Sequence, residues 1–335
     1  MFAIKKTFEK NQSDNIPLRQ EIIARLKIFH SIDSFSSNQK TVVTLGTFDG
    51  VHIGHQKIVQ QLLNSAHQSD CESVILTFFP HPRMILQDQS EIKLLNTIAE
   101  RTKLLEKTGL DHLIIHPFDK TFSRLTAEEF VKEILVDQLN IQKIVIGYDH
   151  RFGRNRTADI HDLIDFGHQY GFDVEQISAQ QIEAVSVSST KIRTALLEGN
   201  VALANQYLGY KYQLSGTVIH GRKLGRTIGF PTANLAIDAD YKLIPKIGVY
   251  IVQSIINRQT VYGMMNIGTN PTVDGQTLSV EVYFIDFEAD LYEKTLTVSM
   301  LEHIRDELKF DSIDSLKKAI ENDLSFTRNY LKNPE

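Results

Sequence analysis

TLGTFDGVHIGH, residues 44–55, joins an apolar run to the start of a helical pattern. The run before it predicts a buried strand, and apolar residues spaced three and four apart after it predict a helix. Gly46 and Gly50 permit tight backbone turns between the two elements. A helix N-terminus attracts anions through its unpaired amides and its dipole, and His52 and His55 add side-chain donors there. The stretch therefore predicts a site for the phosphates of a nucleotide.

Length and composition describe a globular chain of about two domains. The 335 residues are 42% hydrophobic and 23% charged, which is typical of proteins that bury a sizeable core. With 36 basic and 41 acidic residues the net charge is −5, so we expect no nucleic-acid partner. Cys71 is the sole cysteine, which excludes an internal disulfide and is consistent with a reducing compartment. No apolar run has the length of a signal peptide or a membrane span, so we expect a cytoplasmic protein without a membrane partner.

Strand and helix patterns alternate in the first half of the chain. Strands are predicted at 41–45, 72–79, 113–116, 143–147 and 172–177, and helices at 54–67, 99–107, 127–139, 159–170 and 188–198. This alternation is typical of an α/β doubly wound parallel sheet of Rossmann-like type. Ligands of such sheets bind at the carboxyl ends of the strands, which is where the stretch 44–55 lies.

The pattern changes after Gly209. Strand-like runs follow at 212–219, 249–256, 261–267, 278–284 and 296–301, separated by Gly, Pro, Asn and Asp, and one closing helix is predicted at 313–331. Short strands at regular spacing predict an antiparallel barrel or sandwich. We therefore expect a leader of unknown role at 1–27, a first domain at 28–208 and a second domain at 209–335.

A second anion site is indicated late in the first domain. Three hydroxyls, those of Ser188, Ser189 and Thr190, begin a helix that also carries Lys191 and Arg193. Taken alone, such hydroxyls indicate a simple helix cap. Together with the two-histidine stretch they favour a second phosphate-binding helix start.

These two stretches resemble the nucleotidyltransferase superfamily with a His-x-Gly-His signature, and in particular its FAD synthetase branch. The resemblance implies that a phosphate oxygen of FMN attacks the α-phosphorus of ATP and that pyrophosphate leaves. His52 and His55 would then be catalytic as stabilisers of the developing charge, not as nucleophiles. The nucleotide-binding residues implied for this site are Gly46, Thr47, Phe48, Asp49, Gly54, Asp149, Ser188, Ser189, Thr190 and Arg193.

Other interpretations of the first domain were weighed. Asp49 with His52 and His55 could supply three zinc ligands, but the glycine-rich stretch and the second anion site fit a nucleotide better. His81 lies between two prolines and fits equally a ligand pocket or a structural role. The arginines of 151–156 fit either a solvated turn or contacts to a substrate phosphate.

In the second half, GRKLGRTIGFPTAN, residues 221–234, combines three glycines, three cations and a rigid proline turn. Thr232 and Asn234 are two apart on an extended segment, so their oxygens point the same way and could hold Mg²⁺ beside nucleotide phosphates. The stretch does not fit the Gly-x4-Gly-Lys-Ser/Thr phosphate loop.

This stretch and the runs 248–250, 266–272 and 280–287 resemble riboflavin kinase, which implies a six-stranded barrel. By that resemblance Glu281 is the catalytic base that accepts the proton of the riboflavin 5′-hydroxyl as it attacks the γ-phosphate of ATP. Without the resemblance, Glu281 could equally be a solvent-facing strand residue. The implied nucleotide- and flavin-binding residues are Gly221, Arg222, Gly225, Arg226, Gly229, Pro231, Thr232, Asn234, Tyr250 and Arg305.

The two resemblances together indicate the prokaryotic family of bifunctional riboflavin kinase/FAD synthetases. They imply riboflavin, FMN and ATP as partners and Mg²⁺ as cofactor, with phosphorylation of riboflavin preceding adenylyl transfer to FMN. Two alternatives stay open: a flavin-binding or flavin-sensing protein with one decayed catalytic site, and a transferase that uses another phosphate ester. The sequence departs from the family pattern at Phe79, commonly Asp, at His150, commonly aromatic, and at Glu293, commonly Gly.

Overall fold

A computed structural model describes residues 26–87, 91–147, 150–178, 187–221, 224–272 and 275–332. Two residues of the predicted sites, Asp149 and Arg222, lie outside these ranges. The chain forms two modules, a parallel sheet flanked by helices and a closed antiparallel barrel. Both architectures were expected from the sequence.

The first module alternates strands and helices. Its strands are β1 (Lys27–Phe29), β2 (Thr41–Leu45), β3 (Glu72–Phe78), β4 (His112–His116), β5 (Ile141–Gly147) and β6 (Asp173–Ile177). Its helices are α1 (Ile53–Gln68), α2 (Pro82–Leu86), α3 (Ile98–Glu106), α4 (Ala127–Glu129, which continues as a π-helix over Phe130–Gln138) and α5 (Ile160–Tyr170). The sheet is parallel in the order β1-β4-β3-β2-β5-β6.

The order of the strands places the site at the centre of the sheet. β2 lies between β3 and β5, and its central residues Val42 and Val43 are fully buried. The chain order reverses at β2, and such a switch point is where doubly wound sheets bind ligands. The turn after β2 needs unusual backbone: Phe48, Gly50 and Val51 all have positive φ.

Two helices, α6 (Ser189–Leu197) and α7 (Val201–Leu208), connect the modules. The sequence predicts α6 within the residues expected to form the first domain, whereas it does not predict α7. In the structure Leu196 and Leu208 belong to the same buried apolar cluster as the barrel residues Tyr212 and Met265. The apolar faces of α6 and α7 therefore pack with the barrel, whereas the parallel sheet has apolar clusters of its own.

The second module closes on itself. Its strands are β7 (Gln213–Ile219), β8 (Ala233–Ala236), β9 (Gly248–Ile256), β10 (Gln259–Thr272), β11 (Gly275–Phe284) and β12 (Thr295–Arg305). The barrel order is β10-β11-β8-β7-β12-β9. A short helix, α8 (Leu224–Thr227), precedes β8, and the long helix α9 (Ile313–Lys332) follows the barrel.

Two further features bear on the sequence expectations. Glu293, where the family pattern has Gly, has a φ of 63°. Its backbone therefore lies in the left-handed region that glycine adopts without cost. Within the described residues, no helix combines the length and the apolar character needed to cross a membrane.

Candidate active sites

The two histidines predicted to be catalytic face each other at the start of α1. His52 is the N-cap, and its Nδ1 accepts a hydrogen bond from the backbone N–H of His55 at 3.4 Å. The two imidazole rings stack at 3.7 Å between centroids. Because Nδ1 of His52 is an acceptor, the proton of a neutral ring lies on Nε2, which is the atom free to donate to a ligand.

Both imidazoles are neutral at physiological pH. Burial lowers the pKa of His52 to about 4, against a backbone hydrogen bond that raises it, and the charge of Arg193 lowers it further. Burial also holds the pKa of His55 well below its usual range, with added repulsion from His52 and Arg101. Two cationic rings stacked this closely would repel each other, so each ring offers a neutral N–H donor.

Asp49 ties the first predicted stretch to the second. Its carboxylate is 1% exposed, Oδ2 accepts from the Arg193 guanidinium, and Oδ1 accepts the backbone N–H of Leu95 at 2.9 Å. The Ser189 hydroxyl donates to the backbone oxygen of Asp49 at 2.9 Å. Residues about 140 positions apart in the chain thus meet at one place, as a two-walled nucleotide site requires.

The hydroxyls at the start of α6 have distinct positions. Ser188 is the N-cap, and its side chain accepts from the backbone N–H of Lys191 at 3.3 Å, which is the capping role that we weighed as the alternative. Thr190 is exposed beside it. Ser189 and Arg193 instead face Asp49, so the α6 start contributes both a cap and a wall of the site.

A cavity of about 760 Å³ opens beside this loop. Gly46 and Thr47 line it together with the aromatic rings of Phe78, Phe122 and Phe130. Its lining also includes exposed arginines at 124, 151, 154 and 156. A cavity with aromatic and cationic lining suits a planar ring system that carries a phosphate.

The remaining residues of this region support the loop. Phe48 is 2% exposed, and its ring packs against that of His55 at 5.1 Å between centroids. Gly54 is buried in the first turn of α1. His81 caps α2 by accepting from the N–H of Arg83 at 3.1 Å, and burial, with the nearby arginines, lowers its pKa to about 4. The structural role of His81 is therefore visible, and His150 lines the cavity in the position of the expected aromatic residue.

In the barrel, one row of paired residues gathers the predicted catalytic groups. Asn234 of β8 pairs with Glu281 of β11, and Glu281 pairs with Asn266 of β10. Asn266 pairs with Val249 of β9, which pairs with Arg305 of β12. Directly paired residues of antiparallel strands project to the same face, so Glu281 lies between two amide side chains.

Thr232 joins this row to a second cavity. Its hydroxyl donates to Oε2 of Glu281 at 3.0 Å, and Thr232 lines a cavity of about 820 Å³. The predicted residues Arg226, Gly229 and Pro231 line the same cavity. A nucleotide-sized space with a cation at its wall therefore adjoins the predicted base.

Two glycines of residues 221–234 make close contacts. A Cβ at Gly225 would meet the Phe230 carbonyl oxygen, and a Cβ at Gly221 would meet the Asn234 side chain. A larger residue at 225 would therefore displace the backbone that leads to Thr232, and one at 221 would displace the side chain of Asn234. These glycines thus shape the wall of the cavity.

Arg305 and Tyr250 have protein partners in the structure. Arg305 forms a two-pronged ion pair with Asp323 of α9, with Nε–Oδ1 at 2.9 Å and Nη2–Oδ2 at 2.8 Å. Tyr250 is buried, and its hydroxyl donates to the backbone oxygen of Lys246. Tyr250 therefore supports the barrel wall, and the ion pair holds Arg305 at the end of the row of paired residues.

Family models match both modules: a model described as FAD synthetase covers residues 34–191, and one described as riboflavin kinase covers residues 208–331. The bifunctional riboflavin kinase/FMN adenylyltransferase of Listeria monocytogenes is 39% identical over 86% of this chain and 91% of its own length. The chain belongs to this family. It is a transferase that carries a kinase domain and an FMN adenylyltransferase domain for flavin cofactor synthesis.

Further relatives agree with this membership. The enzyme of the same name from Buchnera aphidicola subsp. Schizaphis graminum is 36% identical over 90% of this chain and 96% of its own length. A crystal structure titled as a macrolide-efflux protein from Streptococcus pneumoniae matches with a TM-score of 0.82 and 34% identity, covering 91% of this chain and 99% of that one. The arrangement of sheet and barrel is therefore shared with a solved structure.

Sequence reasoning missed several groups that complete the two sites of this bifunctional chain. Arg101 is 1% exposed, and its Nη2 lies 3.7 Å from Oδ1 of Asp49. Lys242, Asn266 and Asp323 were likewise not singled out as site residues. None of these residues lies in a motif of its own, although Asn266 is part of a run that resembles the kinase family. A charged residue in a helix is ordinarily expected to be exposed.

Proposed function

We propose that this chain makes FAD in two steps at the two sites described above. The barrel, the kinase module, phosphorylates riboflavin with ATP, and the parallel-sheet module, the adenylyltransferase module, transfers AMP from a second ATP to the resulting FMN. The observation that supports the site assignment best is the meeting of Asp49, Ser189 and Arg193 beside His52. It joins the two phosphate-binding stretches that the sequence separates.

For adenylyl transfer, we propose that the chain acts by alignment and charge stabilisation. The neutral N–H donors of His52 and His55 and the amides of α1 would face the α-phosphate and the leaving pyrophosphate. Arg193 would approach the same phosphates from α6 while Asp49 holds its guanidinium. Donors that are fixed before reaction stabilise the transition state without reorganisation.

FMN would occupy the aromatic cavity of the adenylyltransferase module, with its phosphate toward the loop after β2. Gly46 and Thr47 line that cavity, and their backbone would contact the nucleotide. Asp149, Ser188 and Thr190 remain proposed nucleotide-binding residues from the family resemblance. Asp149 lies outside the described residues.

For riboflavin phosphorylation, we propose that Glu281 accepts the proton of the 5′-hydroxyl. The Thr232 hydroxyl orients its carboxylate at 3.0 Å, and Asn234 and Asn266 flank it on the neighbouring strands. Such positioning supplies most of the catalysis in phosphoryl transfer. Arg305 at the end of the row would contact the flavin, and Tyr250 would support that wall.

Magnesium fits the same place. The hydroxyl of Thr232 and the amide oxygen of Asn234 are the neutral oxygen ligands that Mg²⁺ accepts beside nucleotide phosphates, and the Thr232 hydroxyl keeps free lone pairs while it donates to Glu281. When bound, the ion would neutralise charge on the β- and γ-phosphates.

We further propose module boundaries at 28–208 and 209–335 and a cytoplasmic location.

The test separates the two reactions. We expect His52→Ala to lose FAD formation by at least tenfold while FMN formation from riboflavin is unchanged. We expect Glu281→Ala to lose FMN formation while FAD formation from supplied FMN is unchanged. Both products are followed by chromatography after incubation with ATP and Mg²⁺.

The matched controls are His161→Ala and Glu321→Ala, since both of these side chains are exposed on helices away from the sites. Both controls should retain both reactions. Equal product profiles in His52→Ala and wild type, or in Glu281→Ala and wild type, would contradict the assignment of that site. A wild-type chain that forms neither product would instead support a flavin-binding protein.

A further inference from the structure

One buried lysine of the kinase module reaches into the adenylyltransferase module. Lys242 lies in the connection between β8 and β9, and its side chain is fully buried. Its Nζ lies 2.6 Å from Oε2 of Glu100 on α3 and donates to the backbone oxygen of Leu95 at 2.7 Å. It also lies 4.4 Å above the ring of Tyr212.

The backbone around Lys242 pairs with the segment that contains Leu95. The N–H of Leu94 donates to the oxygen of Tyr241 at 2.6 Å, and the N–H of Leu243 donates to the oxygen of Leu94 at 2.8 Å. This forms a short parallel bridge between the modules at Leu94 and Lys242. Residues 94–96 are thus held on one side by the kinase module.

The other side of residues 94–96 is bonded to the adenylyltransferase loop. Oδ1 of Asp49 accepts the N–H of Leu95 at 2.9 Å and the N–H of Asn96 at 3.3 Å. Asp49 also accepts from Arg193. A displacement of this segment would therefore move the carboxylate that holds the guanidinium beside His52.

Glu100 supplies a second route to the same loop. It precedes Arg101 on α3, and the Arg101 guanidinium lies 3.7 Å from Asp49 and 3.4 Å from the hydroxyl of Thr77. Glu100 also caps α3 by accepting from the N–H of Thr97 at 2.9 Å. The carboxylate that Lys242 neutralises therefore fixes the start of the helix that presents Arg101.

We propose that Lys242 is a positioning residue for adenylyl transfer: from the kinase module it fixes residues 94–96 and Glu100, and through them Asp49 and Arg193. This inference rests on the proposed assignment of the adenylyltransferase site. An ammonium is suited to this role because it donates to a carbonyl and a carboxylate at once. Removing one partner of a buried ion pair leaves an uncompensated buried charge, so the pair favours the arrangement in which both partners meet.

The test measures both reactions on the full-length chain. Lys242→Met should lower kcat for FAD formation from supplied FMN by at least tenfold, with FMN formation from riboflavin within twofold of wild type. The kinase reaction reports folding of the module that contains the substitution. Lys93→Met is the matched control, because the exposed Nζ of Lys93 also donates across the contact between the modules, to the backbone oxygen of Asp240 at 2.8 Å. This control should change neither reaction.

A double variant separates positioning from simple stabilisation. Lys242→Met with Glu100→Gln removes the unpaired buried charge, so the melting temperature should recover toward wild type. The donor to Leu95 is still missing, so kcat for FAD formation should stay at least tenfold low. Recovery of kcat together with the melting temperature, an unchanged kcat in Lys242→Met, or an equal loss of both reactions would each overturn the proposal.

His52→Ala measured in parallel keeps the two proposals distinct. If His52→Ala loses FAD formation and Lys242→Met does not, the inference about Lys242 fails alone. If His52→Ala retains FAD formation, the site assignment itself fails. Lys242→Gln, which keeps a shorter donor, should give a kcat between those of Lys242→Met and wild type.

Discussion

The stacked histidines of the adenylyltransferase loop make this module sensitive to acid. The pKa of His52 is about 4 in the folded chain, against 6.5 for an unperturbed histidine. Between these values the unfolded chain binds more protons than the folded one, so the free energy of unfolding falls as pH falls through this window. The stability that depends on a neutral His52 is fully present above pH 6.5 and is lost as pH falls toward 4.

We therefore expect His52→Gln to reduce the acid sensitivity of stability. For one site with these two pKa values, the loss between pH 7 and pH 5 is about 2 kcal/mol. Thermal unfolding at the two pH values should show a smaller drop in midpoint for His52→Gln than for wild type. His30→Gln, at an exposed position, should keep the wild-type drop. An equal drop in His52→Gln would contradict the lowered pKa.

At this scale, the sequence reveals residues that lie in compact motifs. His52, His55 and Ser189 belong to such motifs, and the Ser189 hydroxyl donates to the backbone oxygen of Asp49 in the loop that leads to the two histidines. Lys242 could not be found in this way, because its partner Glu100 is 142 positions away. Nothing in the neighbouring sequence indicates that a lysine is buried when the partners of its ammonium lie far away in the chain.

Among the elements, the closing helix α9 has an unusual buried face. Its buried residues are Asp323 and Thr327, although a packed helix normally buries apolar side chains. Asp323 is 5% exposed and holds Arg305 at the end of β12. The helix therefore anchors Arg305, the arginine that we propose contacts the flavin.

We expect Asp323→Ala to impair the kinase reaction selectively. Loss of the two-pronged pair frees the Arg305 guanidinium, so KM for riboflavin should rise at least fivefold, while FAD formation from supplied FMN is retained. Asp286→Ala is the matched control, since Asp286 pairs with Arg328 of the same helix in an exposed position, and such pairs contribute little. Unchanged riboflavin kinetics in Asp323→Ala would show that Arg305 does not depend on α9.

The elements themselves were largely predictable. β2 was predicted with the observed ends, and most of the other predicted strands and helices agree within two residues. β1, with only three residues, is too short to give a periodic signal. α7 is not predicted from the sequence, and the apolar faces of α6 and α7 pack against the barrel core. Such packing depends on long-range contacts that a periodic pattern does not contain.

For the whole molecule, the two cavities belong to different modules. The kinase cavity is lined by residues between 218 and 292, and the adenylyltransferase cavity by residues between 45 and 156. No described residue lines both cavities. The modules are nevertheless in contact through Lys242, through the Tyr210 hydroxyl, which donates to the backbone oxygen of Gly50 at 2.6 Å, and through the apolar cluster that joins Leu95, α6 and α7 to the barrel.

We propose from the separate cavities that FMN leaves the kinase module before adenylyl transfer. We therefore expect an equimolar mixture of His52→Ala and Glu281→Ala to form FAD from riboflavin, ATP and Mg²⁺, although neither variant does so alone. FAD should follow FMN after a lag, because FMN must accumulate in solution. In wild type, unlabelled FMN added in excess should dilute the label that passes from riboflavin into FAD. Label that resists dilution would instead show that FMN passes within one molecule.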